Sequence, residues 1–257
     1  MFNLEIFDLK LETEIIGRNF IYCDEVISTN AEILQNKPLY KKAGTVLLAE
    51  KQLKGKGRKE RTWQSAKGQN LTFSILLTGE MVDRININHL NLAASLVVAS
   101  AIENLYQIRT ELKWPNDVLI NGKKVSGILI ETSVKGNKVE RVVIGIGINL
   151  NQNVFQGEFN IPPTSLKIET GENIVRETIL AEILNILEEL IIEVSKKPNV
   201  ILDDWREKCK MIGDKITITD GEQFKSGIFY DIDSDGYLLL KRNDTIEKVH
   251  FGDVSLC

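Results

Sequence analysis

Residues 113–131 read KWPNDVLINGKKVSGILIE, a stretch that joins a compact polar group to a β-hairpin pattern. A residue before proline avoids the helical region, so Pro115 restricts Trp114 to an extended conformation and favours a sharp bend before the next strand. Asn121 and Gly122 then separate two apolar runs, and Asn-Gly between such runs is a strong signal for a tight turn. The stretch therefore predicts two antiparallel strands preceded by a defined polar bend.

Other apolar runs predict helices and strands on both sides of this hairpin. Strands are predicted at 20–26, 45–50, 70–78 and 141–150, and helices at 89–107 and 174–195, with helical character continuing through DDWREKC. Ser28 or Thr29 can cap a short helix, and residues 151–172 predict a long loop. From about Met211 short apolar runs alternate with turn residues. We therefore expect an α+β domain followed by a small all-β module.

The composition excludes several classes of protein. A chain of 257 residues with a net charge of -4 and a pI near 5.5 lacks the basic character of proteins that coat nucleic acid. Its three cysteines and two histidines are scattered, which argues against a disulfide framework and a zinc site. The N-terminus has no signal-peptide pattern, and no apolar run is long enough to span a membrane. These features predict a cytoplasmic protein.

A basic segment contrasts with this acidic background. Residues 51–63 read KQLKGKGRKERTW, in which six of the first eleven residues are Lys or Arg. Such a cluster can form a solvated face, a nucleic-acid patch or a cradle for a small anionic ligand. Gly55 and Gly57 allow backbone N–H groups to approach phosphate oxygens, and the guanidinium of Arg58 can hold two oxygens at once.

Two standard nucleotide-binding signatures are excluded. No GxxxxGK(S/T) string occurs, and both GKGRKE at 55–60 and GIGIN at 145–149 lack the third glycine of a dinucleotide fingerprint. Other residues still fit a nucleotide. Gly127 lies within a predicted strand, where glycine marks close approach of a ligand or a β-bulge, and the amide of Asn149 can read a base edge. For PND, an ordinary Asx turn is the simpler alternative.

Five motifs occur together in the order and spacing seen in biotin–protein ligases. They are STN at 28–30, EKQLKGKGRKERTW at 50–63, NLTFSILL at 70–77, KWPNDVLINGKKVSGILIE at 113–131 and GIGINLN at 145–151. The C-terminal segment containing FYDIDSDGYLLL resembles the SH3-like barrel of the same family. The resemblance implies an α+β catalytic domain over residues 1–210, with a mixed, mainly antiparallel sheet and packed helices. It also implies an SH3-like β-barrel over residues 211–257.

The resemblance implies a two-step ligase reaction. The biotin carboxylate attacks the α-phosphate of ATP and gives biotinyl-5′-AMP and pyrophosphate, with Mg²⁺ as the metal cofactor. A lysine of a biotin carboxyl carrier protein or domain then attacks the activated carbonyl and releases AMP. Because the first step brings an anion onto a polyanion, cationic groups must neutralise both partners. The basic segment is accordingly expected to be a phosphate cradle.

The same resemblance implies a set of site residues. Those expected to bind biotin are Ser28, Thr29, Asn30, Gln52, Gly55, Lys56, Arg58, Lys124, Gly127 and Leu129. Those expected to bind ATP are Arg58, Arg61, Trp63, Asn116, Lys124 and Asn149. The expected catalytic residues are Lys124, Arg58 and Asp117, and Asp117 is also the expected Mg²⁺ ligand. Lys124 is the main candidate, because its family counterpart reaches both the biotin carboxylate and the α-phosphate.

Four positions raise questions of their own. Lys56 stands where the family usually has Arg, which replaces a bidentate contact by a point charge. Glu60 stands where a glycine is common, and it adds a negative charge to the loop. Lys113 has either an electrostatic or a structural role, and Trp63 either packs against a ligand or anchors the loop.

Three rival functions remain open at this stage. A lipoate- or octanoate-handling ligase would share the catalytic fold, a biotin or adenylate sensor would share the pocket, and an RNA-binding protein would use the basic loop and barrel. Only 27 residues precede Ser28, too few for the winged helix-turn-helix of repressor-type relatives, so no DNA binding is expected. No membrane partner is expected, and a strand edge could support a homodimer.

Overall fold

The structure is a computed structural model that describes residues 1–35, 37–59, 61–83, 86–194, 198–220 and 223–256. The α-helices in these ranges are α1 Leu4–Lys10, α2 Thr29–Leu34, α3 Glu80–Asp83, α4 Ile87–Tyr106, α5 Leu166–Thr170, α6 Arg176–Val194 and α7 Pro198–Lys208, with a 3-10 turn at Pro38–Tyr40. The first seven strands are β1 Phe20–Val26, β2 Val46–Gln52, β3 Leu71–Thr78, β4 Glu111–Lys113, β5 Asp117–Ile120, β6 Lys123–Lys135 and β7 Lys138–Ile148. The remaining strands are β8 Lys215–Asp220, β9 Gln223–Ile232, β10 Leu238–Arg242, β11 Thr245–Val249 and β12 Asp253–Leu256.

Strands β1 to β7 form one mixed sheet, in the order β1-β2-β3-β7-β6-β5-β4. The β1–β2 pair is parallel, and every other neighbouring pair in this sheet is antiparallel. The predicted α+β class with a mixed, mainly antiparallel sheet is confirmed. No helix in the described part of the chain is long and apolar enough to span a membrane.

The predicted β5–β6 hairpin is confirmed. Asn121 and Gly122 have φ values of 52° and 71°, the left-handed conformation that a type I′ hairpin turn requires of both central residues. A register shift in this pair lies between Val118 and Leu119, whereas Gly127 is regularly paired within the strand. The bulge alternative for Gly127 is therefore wrong.

The two faces of the sheet have different neighbours, because strand side chains alternate between faces. Phe73 and Ile75 of β3 join the main core, which includes the buried residues of α1, α4, α6 and α7. Leu76, on the alternate face, packs with Ile33 of α2 in a smaller cluster. Thr72 and Ser74 share that second face, which α2 covers only in part and which carries the candidate site.

The structure corrects two local predictions and adds one helix. Residues 151–172 are not loop throughout, because Ser165 caps α5 by accepting a hydrogen bond from Ile168 N and Gly171 ends it with a φ of 79°. The second long helix begins at Arg176, and the DDWREKC segment lies mainly in the separate helix α7. Helix α1 was not predicted, although the side chain of its N-cap Asn3 accepts from two backbone N–H groups.

Strands β8 to β12 form an all-antiparallel five-stranded sheet, which confirms the small β module. Backbone carbonyls near the β9–β10 turn attach it to the larger sheet and its helices. Trp114 Nε1 donates to Gly236 O at 3.2 Å, and His89 Nε2 donates to Ser234 O at 2.7 Å. The tryptophan of KWPND therefore connects the two parts of the molecule.

Candidate active site

A single cross-strand row forms the floor of the site. Directly paired residues run across β3, β7, β6, β5 and β4 in the order Thr72, Gly147, Gly127, Asp117 and Lys113. Residues directly opposite one another in a sheet point to the same face. The row thus aligns a hydroxyl, two glycines, a carboxylate and an amine, and its two ends, Thr72 and Lys113, are 41 residues apart in the sequence.

The two glycines of the row make room for Trp63. A Cβ at Gly147 would lie 2.2 Å from Trp63 Cε2, and a Cβ at Gly127 would lie 3.3 Å from Trp63 Cζ3. The indole therefore rests on both backbones, and a side chain at Gly147 is incompatible with its position. Trp63 Nε1 is buried and has no hydrogen-bond partner among the described atoms. It is a donor available to a ligand in the cavity.

Lys124 lies at the centre of the polar part of the floor. Its Nζ is 2.6 Å from Asp117 Oδ1 and 5.7 Å from the ring centroid of Trp63. Its backbone is held by the 151–165 segment, since Lys124 N donates to Pro162 O at 2.8 Å and Thr164 N donates to Lys124 O at 2.9 Å. Hydrogen bonds thus hold the backbone of Lys124 in place, and the carboxylate of Asp117 orients its amine.

Two further cations lie beside this pair. Burial lowers the pKa of the Lys113 amine, and the carboxylate of Asp117 only partly offsets that effect. Burial likewise lowers the pKa of the Arg58 guanidinium, against the opposing effects of Asp253 and Asp117. Desolvated cations interact more strongly with an incoming anion than solvated ones, because less water screens them. The region is suited to a phosphate or carboxylate ligand.

The basic loop is folded back on itself over the floor. Gly57 N donates to Arg61 O at 2.6 Å and Trp63 N donates to Gly55 O at 2.9 Å, with a β-bridge between Lys56 and Thr62. A Cβ at Gly55 would lie 2.4 Å from Trp63 O, so this close approach requires glycine. The proposed effect of Glu60 falls outside the described residues.

The cations of the loop have different partners. Arg58 donates to Asn116 Oδ1 at 3.4 Å, inside the site. Lys59 lies 3.2 Å from Asp220, and Arg61 forms an ion pair with Asp253, so both are held by carboxylates of the β module. Lys56 Nζ lies 3.8 Å from Glu131 Oε1 on β6. The structure brings Arg58 into the site and pairs Lys56, Lys59 and Arg61 with carboxylates.

Around Thr29 and Gln52 the cavity is lined by neutral side chains that are hydrogen-bonded to one another. Gln52 Oε1 accepts from Thr29 N at 2.7 Å and from Thr29 Oγ1 at 3.1 Å, while Ser28 caps α2. Ser74 Oγ lies 2.6 Å from both Thr29 Oγ1 and Asn30 Oδ1. Ser74 was missed by sequence reasoning, although a serine in an otherwise apolar strand is a signal that could have found it.

Asn30 is used mainly within the protein. Its Nδ2 donates to Leu129 O at 3.1 Å and to Glu131 Oε2 at 2.9 Å. A Cβ at Gly145 would lie 2.3 Å from Asn30 Oδ1, so the glycine of β7 provides the space for this amide. Biotin contact by Asn30 remains a prediction, and the structure assigns the side chain a bridge between α2 and β6.

Asn149 follows β7 directly and lines the cavity. Its Nδ2 donates to Thr164 O at 3.0 Å, whereas its Oδ1 is buried without a hydrogen-bond partner among the described atoms. A buried acceptor without a partner among the described residues can accept a hydrogen bond from a ligand donor, such as an exocyclic amine.

Most of these groups line one cavity of about 980 Å³. Each predicted site residue except Gly55 lines it, including Lys124, Asp117, Asn116 and Leu129. The cavity walls also include Asp253 and Leu256 of β12, which carry no sequence signal because their position depends on how the β module packs. The candidate residues are therefore brought together, in a volume large enough for a small-molecule ligand with a nucleotide.

The residues present fit a metal ion held mainly by a ligand rather than by a protein cage. Among the described residues no group of three metal-ligating side chains occurs. Asp117 supplies a single carboxylate beside the cationic cluster. Mg²⁺ is commonly bound through one or two carboxylates together with substrate phosphates.

Comparison with known proteins identifies the family. The model of the biotin/lipoate A/B protein ligase family matches residues 23–149, and that of the biotin protein ligase C-terminal domain matches residues 211–257. The bifunctional ligase/repressor BirA of Bacillus subtilis is 34% identical over 256 residues, which cover 96% of this chain and 76% of that protein. The chain belongs to the biotin protein ligase family.

Other members of the biotin protein ligase family resemble the chain over most of its length. The biotin–[acetyl-CoA-carboxylase] ligase of Paracoccus denitrificans is 32% identical, over 83% of this chain and 90% of that protein. A structure of the Aquifex aeolicus biotin protein ligase with biotin and ATP has a TM-score of 0.81 and 31% identity, over 93% of this chain and 99% of that one. The chain is thus an enzyme of the ligase type, with the fold and the SH3-like C-terminal module of this family.

Proposed function

We propose that this protein activates biotin with ATP to form biotinyl-5′-AMP and then transfers the biotinyl group to a lysine of a biotin carboxyl carrier domain. The observation that supports this most directly is the division of the cavity. One end offers neutral hydrogen-bonding groups around Thr29 and Gln52, and the other offers Lys124, Arg58 and Lys113. A ligand with a polar uncharged ring and a carboxylate, placed next to a nucleotide, matches both ends.

In the first step the biotin carboxylate attacks the α-phosphorus of ATP. A bond forms between the carboxylate oxygen and phosphorus, and the bond to the pyrophosphate oxygen breaks. Lys124 and Arg58 would neutralise the two anions and the charge that develops at phosphorus. Asp117 orients Lys124 Nζ for this contact, at 2.6 Å. The two groups thus raise the rate by preorganised charge and position.

The nucleotide half of the proposal rests on Trp63 and Asn149. Each offers a buried polar atom that has no hydrogen-bond partner in the described part of the chain, a donor on Trp63 and an acceptor on Asn149. Lys113 and Asn116 would lie beside the phosphates, and Asp117 would hold Mg²⁺. When bound, Mg²⁺ would supply positive charge on the phosphate oxygens.

In the second step the acceptor lysine attacks the activated carbonyl as a neutral amine. An amide bond forms, the bond between carbonyl carbon and phosphate oxygen breaks, and AMP leaves with that oxygen while the amine loses a proton. Desolvated cations near the site favour a neutral incoming amine, because a second positive charge there is repelled. The need for ATP favours the cytoplasm as the location. A homodimer and the lack of DNA binding remain predictions.

The decisive experiment is exchange of labelled pyrophosphate into ATP by the purified protein. Exchange that requires biotin and Mg²⁺ is the expected result. Exchange with lipoate in place of biotin would keep the chemistry and overturn the specificity. A protein that binds biotin with no exchange of either kind would be a sensor rather than a ligase. Mass-spectrometric detection of a biotinylated lysine on a carrier domain then tests the second step.

A further inference from the structure

We propose that Gln152 and Asn70 form an amide brace that positions the nucleotide half of the cavity, with Gln152 as its central positioning residue. This inference rests on the proposed function and concerns two residues that are not among the expected site residues, although Asn70 is the first residue of the NLTFSILL motif. Both side chains are buried, at 9% and 4% exposure, although each carries a polar amide. Buried amides are retained where their hydrogen bonds are satisfied, and here these bonds join separate segments.

The brace connects the chain after Trp63 to the chain after Asn149. Gln152 Oε1 accepts from Ala66 N at 3.2 Å and from Asn70 Nδ2 at 2.5 Å. Asn70 Oδ1 in turn accepts from Leu150 N at 2.9 Å. Ala66 lies three residues beyond Trp63, and Leu150 follows Asn149 directly. Two segments that carry proposed nucleotide contacts are thereby fixed relative to each other.

A buried ion pair between Arg176 and Glu50 supports the brace. Arg176 Nη1 donates to Asn70 O at 3.3 Å. The same guanidinium binds Glu50 in a bidentate manner, with Nη1–Oε2 and Nη2–Oε1 distances of 2.7 and 2.8 Å. Bidentate geometry fixes orientation as well as distance. The brace is therefore anchored to β2 and to the first turn of α6.

The hydrogen bonds of Gln152 favour a positioning role over direct ligand recognition. A glutamine amide has two acceptor sites and two donor N–H groups. Both acceptor sites of Gln152 are occupied within the protein, and Nε2 donates to Val154 O at 2.9 Å. Although Gln152 lines the cavity, most of its capacity is already used by neighbouring segments.

The brace acts on one end of the cavity only. The neutral end is organised by separate hydrogen bonds among Thr29, Gln52 and Ser74. Loss of the brace should therefore change the spacing between Trp63 and Asn149 and leave the neutral end intact. The expected consequence is weaker binding of ATP with nearly unchanged binding of biotin.

The test compares Gln152→Met, which keeps the length of the side chain but removes its hydrogen bonds, with Asn153→Leu as a matched control. Asn153 is exposed and adjacent, and no described hydrogen bond involves its side chain. We expect Gln152→Met to raise KM for ATP about tenfold in pyrophosphate exchange and to leave KM for biotin within about twofold of the wild-type value. The reason is that the free energy lost when a buried polar group has no hydrogen bond corresponds to about a tenfold change in affinity. Asn153→Leu should change neither constant.

A double-mutant cycle with Asn70→Leu tests whether the two residues act as one unit. The double variant should raise KM for ATP no more than the stronger single variant, because partners in one network are not additive. Equal increases in KM for ATP and biotin, or additive effects, would overturn the brace. If Gln152→Met does not fold, Gln152→Asn, whose amide is one methylene shorter, takes its place. The increase in KM for ATP relative to the increase in KM for biotin then decides whether the brace stands.

The two proposals fail in different ways. Wild-type protein without exchange would overturn the proposed function, and calorimetric Kd values for ATP and biotin would then test the brace directly. Active wild-type protein with Gln152 variants that behave like Asn153→Leu would overturn the brace alone. A thermal unfolding midpoint measured for every variant separates a local effect from general loss of the fold.

Discussion

Gly127 and Gly147 are directly opposed on β6 and β7, and the indole of Trp63 rests on both backbones. Each glycine lies in a regular strand, where a side chain would normally add packing and β propensity. The absence of a side chain at these two positions makes a shelf on the sheet for an aromatic ring. The shelf adjoins Lys124, whose Nζ would lie 3.1 Å from a Cβ at Gly127.

Gly147→Ala should displace Trp63 from this shelf, because the added Cβ would lie 2.2 Å from Cε2 of the ring. We expect adenylate formation to fall on the order of tenfold or more, since the ring and its Nε1 donor move. Tryptophan fluorescence should report a more solvated indole. Because Trp114 and Trp205 are buried, the change in emission is assigned to Trp63. In a Trp63→Ala background the same substitution should have little further effect. An additive loss there would contradict this explanation.

Lys124→Ala should reduce biotinyl-5′-AMP formation by about a hundredfold or more, the scale observed when a preorganised electrostatic group is removed. The substitution also leaves Asp117 without its ion-pair partner at 2.6 Å. Single-turnover formation of the adenylate is the measurement. Lys123→Ala is the matched control, because Lys123 is exposed and lies 3.7 Å from Glu169. Adenylation at the wild-type rate in Lys124→Ala would remove Lys124 from the proposed chemistry.

Arg58→Gly should release the intermediate faster than wild type does. The half-buried guanidinium lies beside Asn116 and near Asp117, where a charge-assisted contact to phosphate is strong. We expect free biotinyl-5′-AMP to leave the enzyme about tenfold faster or more. Rapid filtration of preformed complex measures this rate, with Lys54→Ala as the control for a cation on the exposed part of the segment. Equal release rates would count against the cradle.

Asp253→Asn should loosen the basic loop in the absence of ligand. The substitution removes the carboxylate that pairs with Arg61 and lies 4.0 Å from Lys59. Because exposed ion pairs contribute little, a change of only a few-fold is expected. Limited trypsin digestion should cleave after Arg61 faster in this variant, and Asp244→Asn should behave as wild type. Unchanged cleavage would mean that the β module does not restrain the loop.

Glu50→Gln should lower both the stability of the protein and its sensitivity to acid. Burial raises the pKa of the Glu50 carboxyl, but hydrogen bonds from Arg176 and Tyr22 lower it more, so its pKa lies below the usual value. A depressed carboxyl pKa stabilises the fold above the unfolded value of about 4.3, and that stability is lost as pH falls through the folded value. Breaking the buried pair should cost about 3–5 kcal/mol near neutral pH.

Urea unfolding between about pH 7 and pH 3 measures this effect. The wild-type free energy of unfolding should fall more steeply with acid than that of Glu50→Gln. The exposed Glu12→Gln is the control and should follow the wild-type curve. Parallel curves for wild type and Glu50→Gln would show that the pair does not contribute to the acid response.

Local structure was predictable from the sequence where the chemistry of neighbouring residues decides it. Asn121 and Gly122 tolerate positive φ, so the hairpin turn follows from these two residues alone. Ser28 caps α2 because its hydroxyl can accept from the first turn. Helix α5 was missed inside 151–172 because its five residues give too short a period to recognise against the surrounding Asn and Pro.

The sequence by itself determined which groups are available: a glycine-rich basic loop, glycines within strands, a lysine after a tight turn, and an amide that follows a buried strand. Tertiary structure decided that Asp117 and Lys113 share one row with Gly127 and Gly147, because strand order and register depend on pairing between distant segments. It also decided that Asp253 reaches Arg61 and that Gln152 reaches Ala66. Those contacts follow from how separate elements pack, which no local pattern of residues encodes.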